Sequence, residues 1–213
     1  MRNGIMSNHF EKTFVVAICG ATGVLLGLRV LKYLLQNPFR IYLIISNAAY
    51  CVLKHETGFD GGDVKRFLEL QNGTPHRDAV LFVCDNNDYF VSPASGSFRH
   101  DGMVIVPCSM KTLGAVANGI NDNLITRCAD VTLKEKRPLV LVTRETPLNL
   151  IHIRNMEKAC CAGALIMPPV LPLYGSSDLL IEITDAFIGR VLDHLDVEHS
   201  LYEEWGTSVM KPD

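Results

Sequence analysis

Short segments rich in glycine and hydroxyl side chains follow several apolar runs of this chain, and their residue types suit the binding of a phosphate. The segment from Gly20 to Gly23 follows the apolar run that ends at Cys19, and it offers backbone N–H groups, the Thr22 hydroxyl and a helix start to an anion. It is not the full GxGxxG pattern, because the next glycine is Gly27. Taken alone, the segment is equally compatible with an ordinary strand-to-helix turn.

Two further junctions have the same character. Ser46 follows a second apolar run, and Pro107 to Thr112 follows another. Each of Ser46 and Ser109 would be the N-cap of a helix, and taken alone each could be no more than that. Three such junctions at one edge of a sheet would together offer donors to a phosphate and to a planar ring, although they do not identify the ligand.

A second group of polar residues is cationic, with one carboxylate. Arg127 and Lys134 are seven residues apart, which places them on one face of a predicted helix. Arg144 and Glu145 come directly after an apolar run, where active sites of α/β sheets form. The alternative for the helix is a solvated face with ion pairs, because residues 135–137 are also charged.

Three more candidates lie towards the end of the chain. Tyr174 lies in a proline-rich segment, residues 167–174, which predicts an extended surface loop, and Arg190 lies on a helix predicted from Leu179 to Leu195. Trp205 lies near the end. Their ordinary structural roles would be an anchor for the loop, a surface ion pair and a docking contact of the tail.

The elements that must position these residues are strands that alternate with helices. Short apolar runs predict strands at residues 13–19, 41–45, 80–84, 103–106, 139–142 and 164–167. Helical periodicity follows the first run and ends at Pro38, and the alternation predicts a parallel sheet covered on both faces. Polar residues, glycine and proline accumulate at residues 60–75 and 85–99, which predicts surface loops or a flexible flap.

Composition limits the possible classes of protein. A chain of 213 residues, 48% apolar, fits one domain, which we predict at residues 13–195 between a polar leader (1–12) and a C-terminal tail (196–213). The net charge of -3 gives no basic field, so nucleic acid is not an expected partner. No apolar run approaches the roughly 20 residues of a membrane span, and a signal peptide is not evident. We therefore expect a soluble cytoplasmic protein.

Seven cysteines occur without metal-ligand spacing. Most lie within apolar runs, so we expect buried free thiols in a reducing compartment and no metal site.

Three long strings of the sequence resemble the UbiX flavin prenyltransferases. They are residues 102–113, 127–135 and 137–148. The resemblance extends from about Phe14 to Trp205. It also includes Ser46, the Glu56 and Thr57 pair, Ser95 to Phe98, Pro168 and Pro169, Tyr174, and Gly189 to Asp193.

The resemblance implies a three-layer α/β/α flavodoxin-like (Rossmann-like) fold in one domain and a large homo-oligomer, with a dodecamer as the expected form and active sites between subunits. Members bind reduced FMN and dimethylallyl phosphate, or in some relatives the diphosphate, and need no metal. They make prenylated FMN for a UbiD-type decarboxylase. The implied reaction joins the dimethylallyl group to N5 and C6 of the flavin.

The resemblance also implies roles for individual residues. Contacts with FMN are implied for Gly20, Ala21, Thr22, Ser46, Ser109, Met110, Lys111, Thr112 and Arg144. Contacts with the prenyl phosphate are implied for Arg127, Lys134, Glu145, Tyr174 and Arg190. Glu56 and Trp205 would lie near the reacting atoms, and Glu145, Lys134, Glu56 and Trp205 would form the catalytic set. Cations would stabilise the departing phosphate, Glu145 would move protons, and the Trp205 ring would shelter allylic positive charge.

Two departures from the family pattern keep other readings open. Thr22 replaces a serine, and Gly175 to Ser177 replace a His-Arg-Pro sequence. One alternative is an FMN-dependent cysteine decarboxylase of the same fold, which carries Pro-Ala-Ser-Ala-Asn-Thr where this chain has residues 107–112, and a histidine that residues 47–50 lack. The other is a non-catalytic FMN carrier or partner subunit of a decarboxylase.

Overall fold

Six parallel strands form the centre of the structure. The computed structural model describes residues 10–170 and 180–203. The strands are β1 (Thr13–Ile18), β2 (Arg40–Ile45), β3 (Val80–Asp85), β4 (Gly102–Cys108), β5 (Leu139–Thr143) and β6 (Leu165–Ile166). The helices are α1 (Val24–Leu35), α2 (Asn47–Thr57), α3 (Val64–Asn72), α4 (Met110–Ala117), α5 (Leu124–Lys134), α6 (Leu150–Cys161) and α7 (Leu180–Asp193). All six strands predicted from the apolar runs are present.

Alternation along the strands divides the core into two layers. Val16 of β1 packs with residues of α1, α2, α3 and α7 on one face, whereas Val15 packs with residues of α4, α5 and α6 on the other. All six residues of β1 are buried, as expected for a parallel strand that is covered on both faces. The predicted three-layer α/β/α fold is therefore confirmed.

The strand order is β3-β2-β1-β4-β5-β6 and every pairing is parallel. Strands β2 and β3 follow on one side of β1, whereas β4, β5 and β6 follow on its other side. The direction in which strands are added therefore reverses between β1 and β4. In sheets of this kind ligands bind in the crevice at the carboxyl ends of the strands where that reversal occurs. The fold therefore places a ligand crevice beyond Ile18 and Cys108.

Residues 60–75 were expected to form a surface loop or a flexible flap. This prediction is wrong in part, because the segment contains α3. The Asp63 carboxylate accepts hydrogen bonds from the N–H groups of Lys65 (2.9 Å) and Arg66 (3.4 Å), and thereby caps this helix. Leu68 is buried in the core, and Phe67 packs against the Phe59 ring. The apolar contacts stabilise a helix that the neighbouring glycines obscure in the sequence. Residues 86–91 and 95–101 form no α-helix or strand, as predicted for the second loop.

The end of α7 lies at the amino edge of the sheet. The Asp196 carboxylate pairs with Lys12, which directly precedes β1. A Cβ atom on Gly102, the first residue of β4, would lie 2.9 Å from the Leu195 side chain. Val197 is buried in the core, so the chain beyond residue 195 begins as part of the packed domain.

The cysteine prediction is only partly right. All seven thiols are free; Cys19, Cys84, Cys108 and Cys128 are buried, whereas Cys51, Cys160 and Cys161 are exposed. The last two lie at the end of α6, an amphipathic helix in which Ala159 is the buried residue. In the described part of the chain, no group of three or more His, Cys, Asp or Glu side chains could hold a metal ion, and no helix has the length and apolar character to cross a membrane.

Candidate functional site

The three predicted junctions meet in the crevice beyond β1 and β4. A Cβ atom on Gly20 would lie 2.4 Å from the Cβ atom of Ala48, so only glycine permits this approach between the first turn and α2. The Ser46 N–H donates to the Ile18 carbonyl (3.0 Å), and the Cys19 N–H donates to the Pro107 carbonyl (3.1 Å). The convergence expected from the sequence is therefore present.

Two serine caps direct helix starts at this crevice. The Ser46 hydroxyl accepts from the Ala49 N–H (3.2 Å) at the start of α2, and the Ser109 hydroxyl accepts from the Thr112 N–H (3.3 Å) at the start of α4. Ser46 and Ser109 are therefore helix N-caps, the structural role that the sequence suggested for them. Because helix N-termini carry partial positive charge, the same geometry favours an anion or an electron-rich ring nearby.

The start of α1 is already bound by a carboxylate of the protein. Gly23 has a φ angle of +94° and provides no side-chain cap. Glu56, from the last turn of α2, accepts hydrogen bonds from the N–H groups of Gly23 (Oε1, 2.9 Å) and Val24 (Oε2, 3.1 Å). These two N–H groups are therefore not free for a phosphate. Glu56 instead lies beside the turn that carries Ala21 and Thr22.

Two hydrogen bonds link Ser109 to the buried residues beneath it, which form the floor of the crevice. The Ser109 hydroxyl donates to the Thr112 hydroxyl (3.1 Å), which in turn donates to the Cys19 sulfur (3.3 Å). Burial raises the pKa of the Cys19 thiol, so this thiol stays protonated at neutral pH. The Thr112 hydroxyl supports Ser109 from inside the core, and the FMN contact predicted for Thr112 stays a prediction.

The two neighbours of Ser109 differ in exposure. Met110 is half-buried and packs against the core, whereas the Lys111 ammonium is exposed and pairs with Asp122 (3.0 Å). A contact between Lys111 and a ligand in the crevice would require this surface ion pair to open, which costs little.

Arg144 and Glu145 extend the crevice beyond β5. The Arg144 N–H donates to the Cys108 carbonyl (3.1 Å), which ties this turn to the end of β4. Arg144 is half-buried. Glu145 is exposed, and one of its carboxylate oxygens accepts from the Thr146 N–H (3.0 Å).

Arg127 and Lys134 lie on one side of α5, as predicted. The Arg127 guanidinium donates to the Ala94 carbonyl (3.0 Å) and pairs with Asp130 (3.2 Å). Lys134 pairs with Glu135 (2.7 Å), and its Nζ would lie 2.6 Å from a Cβ atom on Gly96. Both cations therefore flank the segment from Ala94 to Gly96, with the ion pairs that the alternative interpretation expected.

Among the described residues, Lys134, Arg190 and Glu145 of the predicted prenyl-phosphate set lie apart from one another in one chain. The start of α5 contacts Asn86, which follows β3, because the Leu124 N–H donates to the Asn86 carbonyl (2.8 Å). This helix therefore runs from the carboxyl edge to the amino edge, and Lys134 ends it at the amino edge. Arg190, on α7, also lies towards the amino edge, but in the other helix layer. Glu145 is at the carboxyl edge.

Two predicted site residues, Tyr174 and Trp205, lie outside the described residues. Sequence reasoning missed two contributors to the crevice, Cys19 and Ala48. The close approach of Ala48 could have been suspected from Gly20, because a glycine at a strand end often marks such an approach.

Comparisons with known proteins identify the family of this chain. A family model described as Flavoprotein matches residues 6–187. The flavin prenyltransferase UbiX of Alkalihalophilus pseudofirmus is 42% identical over 202 residues, which cover 94% of this chain and 100% of the relative. The chain therefore belongs to the flavoprotein family. Within it, the chain belongs to the UbiX flavin prenyltransferases.

Solved structures give the same result. AnUbiX (PadA1), crystallised with FMN and dimethylallyl pyrophosphate, has a TM-score of 0.81 and 42% identity, covering 91% of this chain and 97% of that one. A dodecameric FMN-dependent UbiX-like decarboxylase from Escherichia coli O157:H7 has a TM-score of 0.80 and 35% identity, covering 91% and 98%. The FMN-dependent cysteine decarboxylase TvaF, at 15% identity and a TM-score of 0.55 over 87% and 99%, shares the fold alone.

Proposed function

We propose that this protein is a flavin prenyltransferase, which transfers the dimethylallyl group of dimethylallyl phosphate to N5 and C6 of reduced FMN. The observation that carries the proposal is the crevice beyond β1 and β4. There the Gly20 turn, the serine-capped starts of α2 and α4, and the Arg144–Glu145 turn share one edge of the sheet. A chain of the UbiX family with this crevice has the parts that the reaction needs.

The residues of the crevice fit a flavin mononucleotide. Gly20 lets the first turn and α2 approach closely at Ala48, which brings the backbone of that turn and the start of α2 together at the crevice. Helix starts at Ser46 and Ser109 favour the phosphate and the electron-rich edges of the ring. FMN would be held by Gly20, Ala21, Thr22, Ser46, Ser109, Met110, Lys111 and Arg144. Reduced FMN supplies the nucleophilic N5 and C6 atoms.

The cationic residues would act on the leaving group. Transfer breaks the bond between the allylic carbon and the phosphate oxygen, and the electron pair leaves with the phosphate. Arg127, Lys134 and Arg190 would stabilise that negative charge with charge-assisted hydrogen bonds, and Tyr174 would contribute a hydroxyl. Because the surface ion pairs of these cations are weak, a phosphate dianion can compete with them.

Glu145 would handle the protons. The N5 proton leaves as the first bond forms, and the departing phosphate takes up one proton. Closure onto C6 then adds a proton to the alkene carbon of the prenyl group and removes the proton from C6, so both steps need a group that exchanges protons. One Glu145 oxygen is held by the Thr146 N–H, so the carboxylate keeps its second oxygen for this role. Glu56 would act close by, beside Thr22, and Trp205 would face the allylic carbon.

The spatial separation of the cations supports a site shared between subunits. Lys134 and Arg190 lie towards the amino edge in different helix layers, whereas Glu145 lies at the carboxyl edge. One substrate can contact all three only when neighbouring chains supply some of them. The chain that follows Glu145 leads into α6, where Leu150 is 59% and Ile151 is 68% exposed, and a neighbouring subunit would cover these apolar side chains. We therefore propose a homo-oligomer, and a dodecamer as its form.

The product would be used by a UbiD-type decarboxylase, and the cytoplasm is the proposed location. The domain limits at residues 13 and 195 and the absence of a metal requirement also stay predictions. A carrier that binds FMN without modifying it is the second candidate, and Gly175 to Ser177 favour it, because two polar side chains of the family pattern are replaced there.

One experiment separates these two functions. The protein is incubated without oxygen with reduced FMN and dimethylallyl phosphate, and in parallel with the diphosphate, and the flavin is then extracted for mass analysis. An enzyme returns a flavin that is heavier by one isoprene unit. A carrier returns unmodified FMN with both donors.

A further inference from the structure

Asp193, in the last turn of α7, binds two side chains of the segment that follows the helix. One carboxylate oxygen of Asp193 is 3.0 Å from the His199 Nε2 atom, and the other accepts from the Tyr202 hydroxyl (2.5 Å). The His199 and Tyr202 rings also contact each other, with centroids 5.3 Å apart. Both oxygens of Asp193 are therefore engaged by one short segment.

A backbone contact fixes the proton on His199. The Leu201 N–H donates to the His199 Nδ1 atom (3.1 Å), so Nδ1 must be the unprotonated nitrogen of a neutral ring. Nε2 then carries the proton and donates to Asp193. The side chain is only 9% exposed, so both nitrogens have their partner within the protein.

Gly189 makes room for this segment on α7. A Cβ atom there would lie 2.7 Å from both the His199 and Tyr202 rings. A glycine in a helix interior costs stability relative to alanine, and here it permits the two rings to lie directly on the helix. Residues 199–202 are therefore seated on α7 next to Arg190.

The Arg190 guanidinium remains accessible to an anionic ligand in this arrangement. It is 3.7 Å from Asp193, is 56% exposed, and makes no hydrogen bond within residues 10–170 and 180–203. Since His199 and Tyr202 already occupy the Asp193 oxygens, Arg190 can turn to an anion without leaving that carboxylate unpaired.

We propose that Asp193 is a positioning residue of the prenyl-phosphate site. By holding residues 199–202 on α7, it fixes the chain beside Arg190, three residues before Trp205. Binding of the prenyl phosphate by Arg190 then depends on these two hydrogen bonds. This inference rests on the proposed function, which gives Arg190 its role.

The test compares two variants that each delete one phenol hydroxyl bonded to a carboxylate of α7. Tyr202→Phe removes the bond to Asp193, and Tyr33→Phe removes the bond between Tyr33 and Asp185 (2.9 Å) on the same helix. Trp205 is the only tryptophan, so its fluorescence anisotropy in FMN-free protein reports the mobility of the chain near it. Titration calorimetry of FMN-loaded protein with dimethylallyl phosphate reports donor affinity without turnover.

We expect Tyr202→Phe to lower the Trp205 anisotropy and to weaken donor binding about tenfold, because the deleted hydrogen bond no longer holds residues 199–202 beside Arg190 and leaves an Asp193 oxygen that competes for its guanidinium. Tyr33→Phe should leave both at the wild-type values. Gly189→Ala, which favours the helix but displaces the two rings, should reproduce the effects of Tyr202→Phe.

Equal anisotropy and donor affinity in Tyr202→Phe and the wild type would overturn the proposal. So would equal losses in both phenylalanine variants, because the effect would then be general loosening of α7. The anisotropy requires neither flavin nor reaction. Failure of the wild type to prenylate FMN would therefore refute the proposed function without changing this readout.

Discussion

Lys134 and Glu145 stand at opposite edges of the sheet, with β5 between them. Lys134 ends α5 before β5 begins, and Glu145 is the second residue after β5 ends. The five residues of β5 span about 16 Å. A dimethylallyl phosphate is shorter than this, so we expect the two side chains that contact one molecule to come from different subunits. A common role of the two residues in catalysis, as proposed above, would therefore need two subunits.

Replacement of Glu145 by Gln should separate flavin binding from chemistry. The amide keeps the shape of the side chain but cannot exchange a proton, so we expect FMN affinity to be retained and a proton-dependent step to slow by on the order of 10²-fold. Single-turnover absorbance of reduced FMN with the prenyl donor measures that step. Formation of the product at the wild-type rate would show that Glu145 carries no proton.

Replacement of Glu56 by Ala should destabilise the start of α1. The N–H groups of Gly23 and Val24 lose their acceptor, and loss of such a cap costs about 1 kcal/mol of unfolding free energy. Urea denaturation measures the loss. Glu69→Ala, at an exposed position of α3, is the matched control and should change stability little. An unchanged midpoint for Glu56→Ala would mean that the cap does not stabilise the fold.

The sequence predicted the strand ends because short buried apolar runs stop at Gly20, Ser46 and Ser109. It could not predict the cap on α1, because Glu56 and Gly23 are 33 residues apart and only the packing of α2 against α1 joins them. Helix α3 was missed because nearby glycines outweighed the Asp63 cap. The hydrogen bonds of Asp193 with His199 and Tyr202 could not be predicted either, because both partners follow α7 and reach Asp193 only when the chain turns back along the helix.

Acid should destabilise the protein through His100. Burial, followed by the nearby Arg137 charge, lowers the pKa of His100 from 6.5 to about 4. The folded state thus favours the neutral ring, and the unfolded chain binds a proton first as the pH falls. The stability is complete above pH 6.5 and decreases by about 3 kcal/mol as the pH falls towards 4.

Urea denaturation of His100→Gln across this pH range tests the effect. The variant has no ring to titrate, so its unfolding free energy should depend less on pH, whereas His55→Gln, at an exposed position of α2, should keep the wild-type dependence. The same pH dependence in His100→Gln and the wild type would assign the acid sensitivity to other groups.

Thiol labelling should divide the cysteines into two classes. Burial raises the pKa of the Cys19 and Cys108 thiols, and that of Cys128 to about 12, so they are protonated and shielded at neutral pH. Only the three exposed thiols, Cys51, Cys160 and Cys161, should react quickly with a maleimide. Replacing these three with serine should leave prenyl transfer intact. Fast labelling of Cys19 or Cys108 in the folded protein would contradict the buried floor of the crevice.

The shared site is tested most directly by mixing two defective chains. Lys134→Ala and Glu145→Gln subunits are co-expressed as mixed oligomers, and prenylated flavin is measured by mass analysis after anaerobic reaction at a low donor concentration. Each variant alone should form little product. If one site takes Lys134 and Glu145 from different chains, roughly a quarter of the sites in a random mixture regain both residues. Recovery near that fraction of the wild-type yield is the predicted result. A mixed oligomer no more active than the single variants, beside an active wild type, would contradict a site that is shared between subunits.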